Sequence, residues 1–334
     1  MNIHLPVIAV ALLISAPAMA QEVNVYSYRQ PELIAPLTDA FTAQTGIVVN
    51  VAYLDKGMVE RLRAEGDRTP ADVILTVDIS RLAKAVEAGV TQPVQSSIMA
   101  ANVPAAYRDP KGHWWGLTTR ARVIYASKDR VRDGEVTTYE DLADPKWAGR
   151  ICTRSGTHAY MTGLTSAVIY HLGMDGAKAW LLGLKANLAR RPQGNDRAQI
   201  KAIWAGQCDI ALGNTYYMGE MLQDPEQSEW ANSVRLVFPT FEGGGTHVNV
   251  SGVAMTKSAP HPENALQFME FLTSADAQEI YAEANYEYPI APETKASPLV
   301  ASWGSFVADD VNLMELAGFR ADALRLTQEV DFDG

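Results

Sequence analysis

Two adjacent tyrosines, Tyr216 and Tyr217, are the residues in this sequence best suited to bind a charged ligand. They follow an apolar segment, 208–212, which predicts a strand that ends in a turn at Asn214. Segments at strand ends carry functional residues more often than strand interiors do. A phenol has a pKa of about 10 and is normally neutral, but a strongly charged hard cation displaces its proton and binds the phenolate oxygen. The alternative is that both rings only pack in the core.

The rest of the composition narrows the choice of metal. The chain has only two cysteines, Cys152 and Cys208, and its six histidines give no spacing typical of a ligand pair. It contains no His-Glu-x-x-His motif and no EF-hand loop, which are signatures of zinc and calcium sites. Ferric iron prefers hard oxygen donors. The tyrosines therefore allow a ferric site without requiring one.

Alternating strand and helix patterns predict the elements that position these tyrosines. In the first part of the chain, strands are expected at 23–27, 47–53 and 71–76, with helices between and after them at 31–45, 58–66 and 79–88. Such alternation favours parallel strands joined by right-handed crossovers, which is the α/β class.

A second unit is predicted to begin near Arg122. Its expected strands lie at 149–153, 208–212, 234–238 and 251–255. A long helix is expected after the turn at 155–157 and ends at Leu172, and further helices are expected at 175–186, 196–206, 259–272, 276–284 and 313–326. The length of 334 residues exceeds the usual ~100–200 of one domain, so we expect two lobes. Ligands of open α/β sheets bind beyond the carboxyl ends of the strands, which predicts a cleft between the lobes.

Charge and the first residues indicate where the protein works. There are 28 Lys and Arg against 39 Asp and Glu, a net charge of −11, which argues against binding to nucleic acid or anionic lipid. Residues 1–20 have no charged side chain and end in Ala18-Met19-Ala20. This predicts a secretory signal peptide cleaved before Gln21, with a buried helix as the alternative. Export permits a disulfide between Cys152 and Cys208, and two buried thiols are the alternative.

Four segments resemble the periplasmic ferric-iron-binding proteins of bacterial ABC transporters. Segment 206–217, GQCDIALGNTYY, is similar to the Tyr-Tyr segment of that family, and segment 150–160, RICTRSGTHAY, is similar to the one that carries a third tyrosine ligand. Segments 115–123, WGLTTRARV, and 285–290, NYEYPI, are also similar, and the likeness extends from about Val23 to Pro292.

The resemblance implies a fold. It is a two-lobed periplasmic binding protein fold of the α/β class, in which each lobe is a mostly parallel sheet flanked by helices and the ligand cleft lies between the lobes. Residues 21–121 with 246–296 would form lobe 1, and residues 122–245 with 297–334 would form lobe 2.

The resemblance also implies a set of site residues. Tyr160, Tyr216 and Tyr217 would be iron ligands. Arg120 or Arg122 would hold a synergistic anion such as carbonate, or balance charge, and surface ion pairs are the alternative for both. The remaining candidates would lie near that anion, and they are Ser155, Gly156, Thr157, Asn195 and Asn214. The first three form a turn at a predicted helix start, where free N–H groups favour an anion. The alternative for Ser155 is that it is only the N-cap of that helix.

The sequence departs from the family pattern after the first strand. Some members have His or His-Tyr there, whereas this chain has Gln30 and Pro31. Tyr28 is offset by two or three residues and is an additional candidate ligand. Arg29 could instead line the cleft.

The function implied by the resemblance is transport without catalysis. A periplasmic monomer would capture Fe(III) and deliver it to an ABC permease and its ATPase, with only peripheral contact with the membrane complex. One alternative is a receptor for an organic solute such as a polyamine, thiamine or a phosphonate. Another is a hydrolase using Ser155 and His158, although the sequence lacks a Gly-x-Ser-x-Gly elbow.

Overall fold

The computed structural model describes residues 21–334, so the predicted signal peptide, residues 1–20, lies outside the described residues. Within that range the strands are β1 (Glu22–Ser27), β2 (Val48–Tyr53), β3 (Val73–Thr76), β4 (Trp115–Ser127), β5 (Ile151–Cys152), β6 (Ile210–Asn214), β7 (Val234–Val237), β8 (Val248–Met255) and β9 (Tyr288–Pro289). The α-helices are α1 (Pro31–Thr45), α2 (Met58–Glu65), α3 (Ile79–Glu87), α4 (Ser97–Asn102), α5 (Ala159–Ala186), α6 (Asp196–Trp204), α7 (Tyr216–Gln223), α8 (Ser228–Asn232), α9 (Pro262–Leu272), α10 (Ala275–Asn285), α11 (Pro298–Ala301), α12 (Leu313–Gly318) and α13 (Arg320–Glu329).

The strands form two sheets that share β4. One sheet has the order β2-β1-β3-β8-β4, and the other has the order β4-β6-β5, while β7 and β9 also pair with β4. The first three strands and the β5–β6 pair are parallel, as the crossover pattern predicts. All pairs made by β4 and β8 are antiparallel. The expectation of mostly parallel sheets is therefore wrong, because the strands that connect the two halves return in the opposite direction.

Strand β4 passes from one sheet to the other without a break. Residues up to Ala121 pair with β8, and residues from Arg122 onward pair with β6 and β7. The second unit is predicted to begin near Arg122, whereas β4 begins already at Trp115 and all 13 of its residues are buried. Because both faces of this strand are covered, its sequence lacks the polar alternation that marks where a half-buried strand starts.

Two helix predictions differ in detail. The helices expected on either side of residue 173 run together as α5, with Gly173 at φ 70° and ψ 176° marking a sharp kink between them. The single helix expected over 313–326 is divided into α12 and α13 at Phe319. Gly173 has no Cβ, so it adopts this left-handed φ without strain.

The two cysteines are joined. Cys152 in β5 and Cys208 just before β6 form a disulfide, with Cα atoms 5.9 Å apart. Of the two alternatives left open by the sequence, the structure has the disulfide. None of the helices in the described range is long and apolar enough to cross a membrane.

Candidate metal centre

The three tyrosines predicted as ligands lie together at the starts of two helices. Tyr160 is the second residue of α5, and Tyr216 and Tyr217 are the first two residues of α7. The phenolic oxygens of Tyr160 and Tyr216 are 2.8 Å apart, and the ring centres of Tyr216 and Tyr217 are 4.3 Å apart. The two helix starts therefore bring the rings of Tyr160 and Tyr216, which are 56 positions apart in sequence, next to each other.

Burial controls the protonation of two of these phenols. Burial raises the pKa of Tyr216, and the neighbouring Tyr160, Tyr217 and Asp196 raise it further, while Arg120 opposes them. Burial also raises the pKa of Tyr217. Both phenols are therefore neutral at pH 7 in the free protein. A cation that binds them as phenolates must displace their protons.

Two arginines lie over the ring of Tyr160. The guanidinium carbons of Arg122 and Arg154 are 4.9 and 4.8 Å from the ring centre. Asp196, fully buried at the first position of α6, holds both of them, since it pairs with Arg154 and lies 4.0 Å from Arg122. Two positive charges against one negative charge leave a local positive excess beside Tyr160, which favours a bound anion.

A second buried cluster lies on the other side of the cleft. The carboxylate of Glu287 pairs with Arg29 at 2.7 Å and lies 3.9 Å from Arg120. Ser251 donates to the same carboxylate and accepts hydrogen bonds from both arginines. Burial opposes ionisation here, but the charges of Arg29 and Arg120 hold the pKa of Glu287 below its usual range. Arg120 is therefore held in place, and its positive charge is only partly offset because it shares the carboxylate of Glu287 with Arg29.

The tyrosines and the Glu287 cluster border one cleft of about 370 Å³. Arg197 closes another part of its wall, with its guanidinium 5.7 Å from the Tyr217 ring centre and paired with Glu220. The polar and charged side chains around this cleft are Tyr28, Arg29, Gln30, Tyr53, Asp55, Arg81, Arg120, Tyr160, Asn195, Arg197, Tyr216, Tyr217, Glu220 and Glu287. Within residues 21–334, no group of three or more His, Cys, Asp and Glu side chains suits a metal ion.

The other predicted residues fall into three groups. Tyr28 and Asn195 line the cleft, and the phenolic oxygen of Tyr28 accepts a hydrogen bond of 3.2 Å from the Met58 N–H. Arg122 is buried beneath Tyr160 and does not line the cleft directly. Asn214 is buried next to the tyrosine turn, and its side-chain nitrogen has no hydrogen-bond partner within residues 21–334.

The turn at Ser155, Gly156 and Thr157 has a different partner from the one predicted. The carboxylate of Asp333 accepts hydrogen bonds from the Ser155 hydroxyl at 2.5 Å and from the Gly156 N–H at 2.7 Å. These donors therefore already bind an anion supplied by the end of the chain. An additional anion would have to displace the carboxylate of Asp333.

Comparison with known proteins now decides the family. The model of the bacterial extracellular solute-binding proteins matches residues 68–305. The chain belongs to this family. The iron uptake protein A1 of Synechocystis sp. is 45% identical over 323 residues, which are 96% of this chain and 89% of that protein. The resemblance inferred from the tyrosine segments is thereby confirmed.

Solved structures of similar proteins confirm the two-lobed α/β fold. The ferric iron-binding protein A of Mannheimia haemolytica, in an open conformation, superposes with a TM-score of 0.92 at 48% identity, covering 94% of this chain and 100% of that one. A Trichodesmium protein in complex with iron and citrate has a TM-score of 0.90 at 41% identity, covering 93% and 99%.

In this solute-binding protein, Ser155 and His158 are not arranged as the hydrolase alternative requires. Ser155 bonds to Asp333 and Thr157, while Nδ1 of His158 accepts the Tyr160 N–H as the cap of α5. Burial and the charges of Arg154 and Arg122 lower the pKa of His158 to about 4. No serine–histidine hydrogen bond of the kind a nucleophile needs is formed between these two residues.

Sequence reasoning missed three charged residues of this solute-binding protein's site. Asp196 follows the predicted Asn195, Arg154 precedes the predicted turn, and Glu287 lies inside a segment quoted for its resemblance. Asp196 and Arg154 are charged residues next to predicted ones, and Glu287 lies in a segment similar to the family, and these positions are the signals that the sequence offers. Their roles depend on partners between 42 and 258 residues away.

Proposed function

We propose that this solute-binding protein captures Fe(III) in the cleft through the phenolates of Tyr160, Tyr216 and Tyr217. The observation that carries the proposal is the convergence of these three phenols, two of them 2.8 Å apart, at two helix starts. Three phenolates would offset the triple charge of the ion without cysteine or histidine ligands. Relatives named for iron uptake and ferric iron binding support the same ligand.

A synergistic anion such as carbonate would complete the site. Arg120 and Asn195 both line the cleft beside the tyrosines, which supports them as the groups that hold the anion. Arg122 and Asn214 lie behind the tyrosines, so they would act through the charge and position of their neighbours. Tyr28 lines the same cleft and would be an additional ligand, and its oxygen would be able to keep the Met58 hydrogen bond because a phenolate oxygen accepts more than one bond.

The proposed carrier works by closing and releasing rather than by catalysis. Residues 21–121 with 246–296 would form one lobe and residues 122–245 with 297–334 the other, and the change of partner along β4 between Ala121 and Arg122 supports this division. The carrier would be an exported periplasmic monomer that delivers iron to an ABC permease and its ATPase.

Spectroscopic titration tests the ligand assignment. Addition of ferric nitrilotriacetate to the protein should give a visible phenolate-to-iron charge-transfer band with one iron per chain. The double variant Tyr216→Phe, Tyr217→Phe should lose the band, while Tyr170→Phe, at an exposed position of α5, should keep it. A thermal shift with polyamine, thiamine or phosphonate but none with iron would instead support an organic solute.

A further inference from the structure

The disulfide joins the two segments that carry the proposed iron ligands. Cys152 lies eight residues before Tyr160, and Cys208 lies eight residues before Tyr216. The chain runs from Cys152 to the start of α5, which carries Tyr160, and from Cys208 to the start of α7, which carries Tyr216. The covalent link therefore connects the bases of both ligand-bearing segments.

The strand that leads to Tyr160 is short, and besides the disulfide a side-chain bridge joins the two ligand-bearing segments, since Asp196 accepts hydrogen bonds from the Arg154 side chain and from the Asn214 N–H. Within residues 21–334, strand β5 has two residues at the edge of the sheet, where two residue pairs join it to β6 and one bridge joins Ile151 to Leu188. The Arg150–Asp209 ion pair, at 2.6 Å, also ties these strands, and both side chains are partly exposed.

Iron binding requires the oxygens of Tyr160 and Tyr216 to be placed more precisely than the two residue pairs between β5 and β6 can place them. The oxygens of Tyr160 and Tyr216 are 2.8 Å apart although their residues come from different helices. A ligand set displaced by about 1 Å loses much of its affinity, because the donors must reach one ion together. The disulfide is buried, with Cys152 at 0% and Cys208 at 2% exposure, so its two ends have little freedom to shift.

We propose that Cys152 and Cys208 are positioning residues of the iron site, which hold Tyr160 at bonding distance from Tyr216 and Tyr217. This inference rests on the proposed function. The disulfide touches no ligand of the ion. It acts on the relative position of the two segments, and its removal should weaken iron binding through Tyr160 in particular.

A double-mutant cycle separates this role from a general loss of stability. Release of iron to a competing chelator is timed for the wild type, for Cys152→Ala with Cys208→Ala, for Tyr160→Phe, and for all three changes together. Without the disulfide, release should be at least about tenfold faster, and Tyr160→Phe should then add little. If Tyr160→Phe accelerates release equally with and without the disulfide, the proposal is wrong.

A second variant controls for folding. Phe268→Ala leaves a cavity in the hydrophobic cluster packed on β1 and β3, remote from the tyrosines, and should lower the melting temperature without faster iron release. Circular dichroism checks that each variant is folded. If Phe268→Ala speeds release as much as loss of the disulfide does, the effect is stability alone and the positioning role is overturned. If wild-type protein gives no charge-transfer band, the proposed function fails before the disulfide is tested.

Discussion

The phenolic oxygens of Tyr160 and Tyr216 lie 2.8 Å apart, although the two residues are separated by 56 positions and begin different helices. A pair of neutral phenols shares one hydrogen bond at this distance. When a trivalent cation displaces the protons of both phenols, the same two oxygens become neighbouring donors. The free protein therefore holds these two donors close together before the metal arrives, which reduces the reorganisation that binding requires.

Iron binding should release protons. Because burial raises the pKa of Tyr216 and Tyr217, their phenols are protonated at pH 7 and each must lose a proton to coordinate iron. With Tyr160 included, we expect release of about three protons per iron, and an affinity that falls as pH falls. Titration with ferric nitrilotriacetate in weakly buffered solution measures the protons, after a protein-free blank is subtracted and the proton taken up by each freed nitrilotriacetate is added back. Tyr216→Phe should release one proton fewer, and a value near zero would exclude phenolate coordination.

Tyr28 should contribute less than the other three tyrosines. Its oxygen accepts the Met58 N–H, and within residues 21–334 it forms no hydrogen bond with the phenols of the other three tyrosines, two of which are hydrogen-bonded to each other. We expect Tyr28→Phe to keep the wavelength and most of the intensity of the charge-transfer band. The comparison is with Tyr217→Phe in the same absorption titration. A loss of intensity as large as that of Tyr217→Phe would instead identify Tyr28 as a full ligand.

Asp196 should be required for the stability of the tyrosine-bearing lobe. Replacing its buried carboxylate by an amide in Asp196→Asn leaves Arg122 and Arg154 without their shared counter-charge. The expected loss in the free energy of unfolding is about 3 kcal/mol, typical of a broken buried pair. Urea denaturation measures it. The matched control is Glu220→Gln, whose partner Arg197 is 41% exposed, and its expected cost is below about 1 kcal/mol.

Glu287 should make stability depend on pH in the acidic range. The charges of Arg29 and Arg120 hold the pKa of this buried carboxyl below its usual value, so the folded state favours the ionised form. Its contribution is complete above the ordinary value of about 4.3 and disappears as pH falls through the lower folded value. The difference in unfolding free energy between wild type and Glu287→Gln should thus be constant above about pH 5 and shrink below about pH 4. A difference that grows on acidification would contradict this assignment.

The sequence by itself determined the element types and the main ligand candidates. Strand-helix alternation is a local pattern, and it correctly indicates β1 to β3 with α1 to α3. The Tyr216-Tyr217 pair after an apolar strand is likewise a local signal, and the structure places it at the start of α7. Resemblance added Tyr160, which no spacing in this chain connects to the pair.

Only the tertiary structure decided the surroundings of those tyrosines. The antiparallel returns of β4 and β8, the disulfide, and the carboxylates of Asp196, Glu287 and Asp333 all involve partners far apart in sequence. The sequence shows which residues are charged, but a buried charge acquires its role from the counter-charge that folding brings to it. Because burial and Coulomb interactions depend on distance in space, they arise only once the two sheets have packed around the cleft.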